Sequence, residues 1–360
     1  MFLGNAIKSK DKGPFLNRDN GMNKNTEETI REHYIDVCRG IGIMFVLLGH
    51  SLCPDIITKG VFGFHMPFFF ILSGILYNNS KWQQLGFKRF FKAKFKAYII
   101  PYFVMAFINL IINIPAEIYQ GLRGKELIIS TAKHIFWILY SYGSSTRLPN
   151  CTPLWFLPCA FLCSIYVFLL FKIKKTSIRL LICLIAIFAD FILCKAQLIT
   201  LPWHLEIAMI GAVFMYIGHI IKEKVLKAFK YDAVICLMLL LMGFFCIYTN
   251  PNRIDLNFNQ IENVASMFVG SAFVSIAIIL FVKRYIHKNY FIELLGRNTM
   301  LIMGFNCVVN SFLRVCWSFI PLSKKIDFPW YLCFPLDLVV FFIMSLILEV
   351  SKKYTTSQRK

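Results

Sequence analysis

A chain of 360 residues, 58% hydrophobic and 16% aromatic with a mean hydropathy of +0.62, is no water-soluble globule; such compositions mark chains that cross a membrane many times. The formal net charge of +20 would suit nucleic acid, but the basic residues sit in short runs between apolar spans. That is the pattern of cytoplasmic loops and not of a phosphate-reading face, so nucleic-acid binding is excluded. The twelve cysteines form no CxxC pair and lie mostly in apolar runs; they are read as packing residues, Cys159 and Cys163 included, with no metal site or disulfide.

Taken in order, residues 1–33 lack an apolar signal-peptide core and read as a polar cytoplasmic tail. Ten apolar spans follow, at roughly 35–53, 61–77, 95–115, 153–171, 178–194, 203–221, 231–249, 264–282, 298–317 and 330–350. The fold expected is an all-α polytopic integral membrane protein of about ten transmembrane helices: a membrane domain over 34–350 and a short basic tail over 351–360. Basic residues crowd alternate connections, beginning with Lys88, Arg89, Lys92, Lys94 and Lys96, whereas Lys59, Lys195 and Arg253 each stand alone in theirs. The positive-inside rule then puts both termini in the cytoplasm. The long connection 116–152, with Trp137, Tyr140 and Tyr142, reads as a partly amphipathic surface lid.

The first two spans hold residue types that lipid tolerates poorly, Asp36, Arg39, His50 and His65, and such residues normally face a protein-lined cavity. Arg39 and His50 are eleven positions apart. On a helix that is three turns plus about 20°, so both point the same way, about 16 Å apart along the axis. Asp36 stands one turn before Arg39, placed to hold it as an i,i+3 partner. His65 enters the second span from the end at which His50 leaves the first, which brings the two imidazoles to similar depth.

At these residues the chain resembles a known family. The stretch IDVCRGIGIMFVLLGH is similar to the Arg-x10-His signature of the acyltransferase family 3 membrane proteins, and FGFHMPFFFILSG to their second signature. The resemblance returns in KRFFKAKFKAYIIPY, PLWFLPCAF, LPWHLEIAMIGAVFMYIGHIIK and LLGRNTMLIMGFN, and its nearest branch is the fucose 4-O-acetylase-like one. It departs at Gly63, where Ser is common, and at Asn306, where the family commonly has His; no proton transfer is assigned to Asn306. The resemblance implies a multi-pass protein of the cell inner (plasma) membrane that transfers acetyl or another short acyl group from acyl-CoA to hydroxyls of envelope polysaccharides. Acetyl-CoA would be a co-substrate, with no cofactor permanently bound.

On this reading His50 is the expected general base, with acyl carrier as the lesser option, since imidazole titrates near operating pH. His65 would orient the acceptor or stabilise charge. Arg39 would hold a CoA phosphate or the pantetheine arm, assisted by Arg89, Lys92 and Lys96. Trp155, Trp203, His204 and Glu206 are candidates for binding the acceptor, a cell-envelope glycan or lipid-linked sugar; the bland reading of both tryptophans is an interfacial belt. Asp190 and Asp337 are weaker candidates. The competing classes are a transporter or flippase of a lipid-linked sugar, disfavoured because no inverted repeat is visible, and a polyprenyl-phosphate-dependent glycosyltransferase, disfavoured because no large extramembrane domain is present.

Overall fold

The computed structural model describes residues 18–357 except 145, 149–150, 196–200, 227–231, 287 and 325. Among them helices account for nearly everything, and extended pairing is limited to one isolated bridge between Asp255 and Gln260. In hydrocarbon every backbone N–H and C=O must be satisfied within the segment, which leaves the helix as the natural element for these apolar runs. Several begin at polar caps immediately outside the run: the side chains of Asn78, Asp232, Asn263 and Asn289 accept from the backbone amides of Lys81, Ile235, Ser266 and Ile292.

The chain opens with α1 (Arg18–His50), so the helix carrying Arg39 runs back into the stretch read as a tail. A turn leads to α2 (Asp55–Phe62), and after a break at Gly63 and Phe64 comes α3 (His65–Ile75). The basic α4 (Asn79–Lys94) continues through a wide turn, Phe95–Ile99, into α5 (Ile100–Tyr119). Helix α6 (Gly124–Tyr140) occupies the connection read as a lid and is tied to α5 by Tyr102 Oη donating to the Ile138 carbonyl (2.6 Å) and by Glu117 against His134 (2.7 Å). Then follow α7 (Phe156–Lys172), α8 (Thr176–Lys195), α9 (Leu205–Ile220) and α10 (Ala233–Tyr248). The bundle closes with α11 (Val264–Tyr285), α12 (Tyr290–Arg297), α13 (Thr299–Ser318) and α14 (Trp330–Ser357).

Among the described residues, eight helical segments are long and apolar enough to cross a membrane, which makes the protein an all-α polytopic membrane protein. The ten spans expected differ from these eight by α1 and α10. Asp36 and Arg39 lower the apolarity of the first, and the second has only 16 residues. The second span is also not one helix but two, α2 and α3, broken where the backbone of Phe64 leaves the helical region (φ −139°).

Helix α1 is the hub, packing against α2, α3, α11, α12, α13 and α14. Lipid tails compete with apolar side chains as partners, so close backbone approach through small residues does much of the holding. A Cβ on Gly40 would lie 2.0 Å from the Ile292 carbonyl oxygen of α12, and one on Gly296 would lie 1.9 Å from that of Asp36 on α1. The same device joins α3 and α9, where Cβ atoms on Gly74 and Gly218 would stand 1.9 Å from Met215 O and 2.1 Å from Ile71 O. These neighbours are backbone and cannot swing away. Gly74→Ala is therefore expected to destabilise by at least the about 1–3 kcal/mol typical of overpacking. The check is the apparent melting temperature of the detergent-solubilised protein; a melting curve unchanged from wild type would refute the tight α3–α9 contact.

Candidate active site

Helix α1 sets the long axis of the site. It is unbroken from Arg39 to His50, so the two side chains keep the separation of about 16 Å and the common side that the spacing dictates. Arg39 Nη1 donates to Asp36 Oδ1 at 3.0 Å, the pair expected from one helical turn. Closer to the start of the helix, His33 Nδ1 meets Glu293 Oε2 at 2.8 Å and ties α1 to α12 beside the Gly40 contact.

The basic segment lies on α4 and the turn after it. Gly86 there has φ +77°, a left-handed residue that redirects the chain before the run 88–96. Arg89, Lys92 and Lys96 are exposed, whereas Lys94 is half-buried with its ammonium 5.7–5.8 Å from the ring centres of Trp82, Phe90 and Tyr98. Lys94 is thus held by an aromatic cage, and the other three present unencumbered cations.

At the opposite end of α1 a cavity of about 340 Å³ opens, lined by His50, His65 and Trp155 among the residues expected. The α2–α3 break builds it. Because the chain leaves the helical path at Phe64, the His65 ring turns back and its Nδ1 lies 2.8 Å from the carbonyl oxygen of Val61. A carbonyl can only accept, so Nδ1 carries the proton and Nε2 is the basic nitrogen of the neutral ring. The Phe62 ring stands edge-on to both imidazoles, its centre 5.9 Å from that of His50 and 5.0 Å from that of His65. Trp155 closes another wall at the end of the short helix Thr152–Trp155, whose turn continues into α7.

Three further lining residues were not singled out from the sequence as site residues: Arg253, Asp255 and Asn257, from the loop between α10 and α11. Arg253 Nη2 donates to Asp255 Oδ2 at 3.0 Å, and its guanidinium carbon sits 4.4 Å from the centre of the Phe62 ring. Asp255 Oδ1 accepts the Asn257 backbone amide at 3.1 Å. Burial pushes the Asp255 carboxyl up, against the pull of the Arg253 guanidinium and the Asn257 amide. The signal was present as an Arg-x-Asp-x-Asn run of polar residues, and in the structure the Asp255 carboxylate caps the short helix Leu256–Phe258 that carries Asn257.

Trp203, His204 and Glu206 fall outside the cavity lining. Trp203 Nε1 donates to the Leu139 carbonyl at 2.8 Å, tying α6 to the start of α9. His204 is fully buried against Trp155, ring centres 4.6 Å apart, and also stacks on Tyr142 at 6.5 Å. Glu206 accepts the Leu201 amide at 3.0 Å, with its second oxygen 4.0 Å from His204 Nδ1. His204 backs Trp155, and Trp203 and Glu206 anchor the segment that carries His204. On the other side of His50, Asn310 Nδ2 donates to Asn306 Oδ1 (2.7 Å) and reaches the His50 carbonyl (3.4 Å), while its swapped amide would instead turn the nitrogen to Asp337 (2.8 Å to Oδ2). Asp337 is buried beside this amide pair, and Asp190 is buried apart from it on α8.

What this arrangement offers is two imidazoles at a small cavity, with a guanidinium about 16 Å back along the same helix. A family model described as an acyltransferase domain matches residues 32–352, from α1 into α14. No curated protein and no solved structure matches the chain. The family match spans nearly the whole bundle, both signature histidines and Arg39 included, and the chain therefore belongs to acyltransferase family 3 as a multi-pass membrane acyltransferase.

Proposed function

We propose that the protein is an O-acetyltransferase of the cell inner (plasma) membrane, moving acetyl from acetyl-CoA to a hydroxyl of a cell-envelope sugar or polysaccharide. The observation that carries this reading is a single helix bearing Arg39 and His50 on one side, with His50 at a polar cavity that also holds His65. The spacing of about 16 Å matches the scale of an extended pantetheine arm. CoA phosphates bound near Arg39, with help from Arg89, Lys92 and Lys96, would leave the thioester beside the histidines. The acceptor would enter from the end lined by Trp155, which His204 backs on a segment that Trp203 and Glu206 anchor.

His50 takes the acceptor hydroxyl proton as the oxygen attacks the thioester carbonyl carbon. A C–O bond forms, the C–S bond breaks, and the proton passes to the departing CoA thiolate. His65, with Nδ1 committed to Val61, has its other nitrogen available to orient the acceptor. A general base contributes about 10²–10⁴-fold. His50→Ala and His50→Gln are each expected to lower acylation by that factor at unchanged protein level and acetyl-CoA binding, measured as CoA release from acetyl-CoA with an envelope glycan. Full activity in a well-expressed His50→Gln protein removes His50 from the chemistry.

Arg39 is tested at the donor. A guanidinium grips phosphate through a bidentate fork that an ammonium lacks, so Arg39→Ala is expected to raise the KM for acetyl-CoA more than Arg39→Lys does. High salt should raise it further where the exposed Arg89, Lys92 and Lys96 take part. Equal donor KM in wild type and a folded Arg39→Ala protein would rule out the phosphate role.

The alternation of basic connections supports cytoplasmic termini. Cysteines introduced at 253 and at 92 in a cysteine-depleted background should be labelled by an impermeant maleimide in intact cells at 253 and not at 92. Labelling in the reverse pattern would invert the assignment of donor and acceptor sides.

A further inference from the structure

The loop between α10 and α11 is a built wall and not a slack connection. Asp255 and Gln260 pair through both backbone hydrogen bonds (3.0 and 2.9 Å), and Asn250 Oδ1 accepts the Asn263 amide at 2.9 Å. The Asn257 side-chain amide donates to the Gly143 carbonyl, fastening the loop to the connection that leads to Trp155. Gly143 is needed there: a Cβ would lie 2.8 Å from the Trp155 ring and 2.5 Å from Asn257 Oδ1. The result fixes Arg253 over Phe62, the same ring that stands edge-on to both His50 and His65.

The charges at this wall define what it can hold. Arg253 is neutralised by Asp255, and Asp55 adds a second carboxylate to the lining. Lys59 points elsewhere, its ammonium bound to the carbonyls of Tyr248 and Pro251. With neutral imidazoles the lining carries one more negative than positive charge, so an acceptor bearing its own carboxylate is disfavoured. Arg253 instead presents guanidinium donors, held in place by the buried Asp255 carboxylate, that suit the hydroxyls of a sugar ring. Arg253 is 45% exposed in its side chain and Phe258, on the same loop, is 37% exposed, so both a polar edge and an aromatic face remain open to a ligand. A cavity of about 340 Å³ lies near the lower end of the roughly 300–1,000 Å³ typical of small-molecule sites.

We infer that the Arg253–Asp255 pair, held over Phe62 beside the two histidines, is the acceptor subsite and takes an uncharged sugar ring in preference to an acidic one. This rests on the acyltransferase reading of the same cavity. Binding and turnover are therefore measured separately on the purified full-length protein. Saturation-transfer NMR titrations compare methyl glycosides of glucose, galactose and mannose with the corresponding 6-carboxylates. The neutral set should bind roughly tenfold more tightly, because like charges in juxtaposition are strongly disfavoured. Asp255→Asn, which unmasks Arg253, should shift the preference toward the carboxylates; a merely structural Asp255 would lower both affinities together. Arg253→Gln should weaken neutral sugars by roughly 10- to 100-fold, the loss of a hydrogen bond to a charged group. Equal or tighter binding of the carboxylates by wild type, or no binding of any neutral glycoside, overturns the inference even if neither variant folds. A folded Asp255→Asn protein that keeps the wild-type preference overturns it as well. CoA release from acetyl-CoA with native envelope glycan is followed in parallel, and its failure alone would overturn the acyltransfer reading while leaving the sugar site standing.

Discussion

The structure depends on keeping charge inside the helix that the rest of the bundle packs around. A guanidinium placed at the bilayer centre costs about 2.5–3.5 kcal/mol on insertion scales, so an arginine such as Arg39 in a bundle of apolar helices calls for a partner. Two arrangements lower that cost. Asp36 accepts from the guanidinium one turn away, and six neighbouring helices pack against α1. The Gly40 and Gly296 contacts draw α12 so close that its backbone lies against α1 directly. A loosening of that packing would shift α12 away from Asp36 and Gly40, so the setting of Arg39 depends on the same glycines.

The same constraint decides where the cavity can be. Irregular backbone at membrane depth is tolerated only where protein buries it or where it lines a cavity. The α2–α3 break at Gly63 and Phe64, the short turn before α7 and the left-handed residues before α9 are such places. The first two contribute His65 and Trp155 to the cavity, and the third supplies the support behind it. Backbone freed from the helix is itself used: the Val61 carbonyl accepts from His65 and thereby selects its tautomer.

The parts legible in the sequence are those governed by local periodicity. The apolar runs marked the helices, and eleven residues on one helix fixed the relation of Arg39 to His50 without any tertiary information. His65 and Trp155 were reachable because each begins a span at the same end as His50. His204 and Glu206 went differently for a backbone reason. Trp203 and His204 are consecutive left-handed residues (φ +58° and +53°), a conformation side-chain-bearing residues seldom take, and the double turn tucks His204 under Trp155. No spacing rule anticipates that. The break within the second span was hidden too, since it falls at Phe64, and what Gly63 makes room for beside it is Ile247 of α10, distant in sequence.

Arg253 shows how a charge rule can conceal a site. Counting basic residues treats each as a solvated topogenic charge, and one lone arginine on a cation-poor connection then carries little weight. A topogenic charge has no reason to be neutralised, yet Arg253 is paired with a buried carboxylate and laid on an aromatic ring. Burying Asp255 and ordering a long side chain both cost free energy that orientation in the membrane does not require. The arrangement makes sense for a group whose geometry matters, and the adjacent histidines indicate what it is positioned toward.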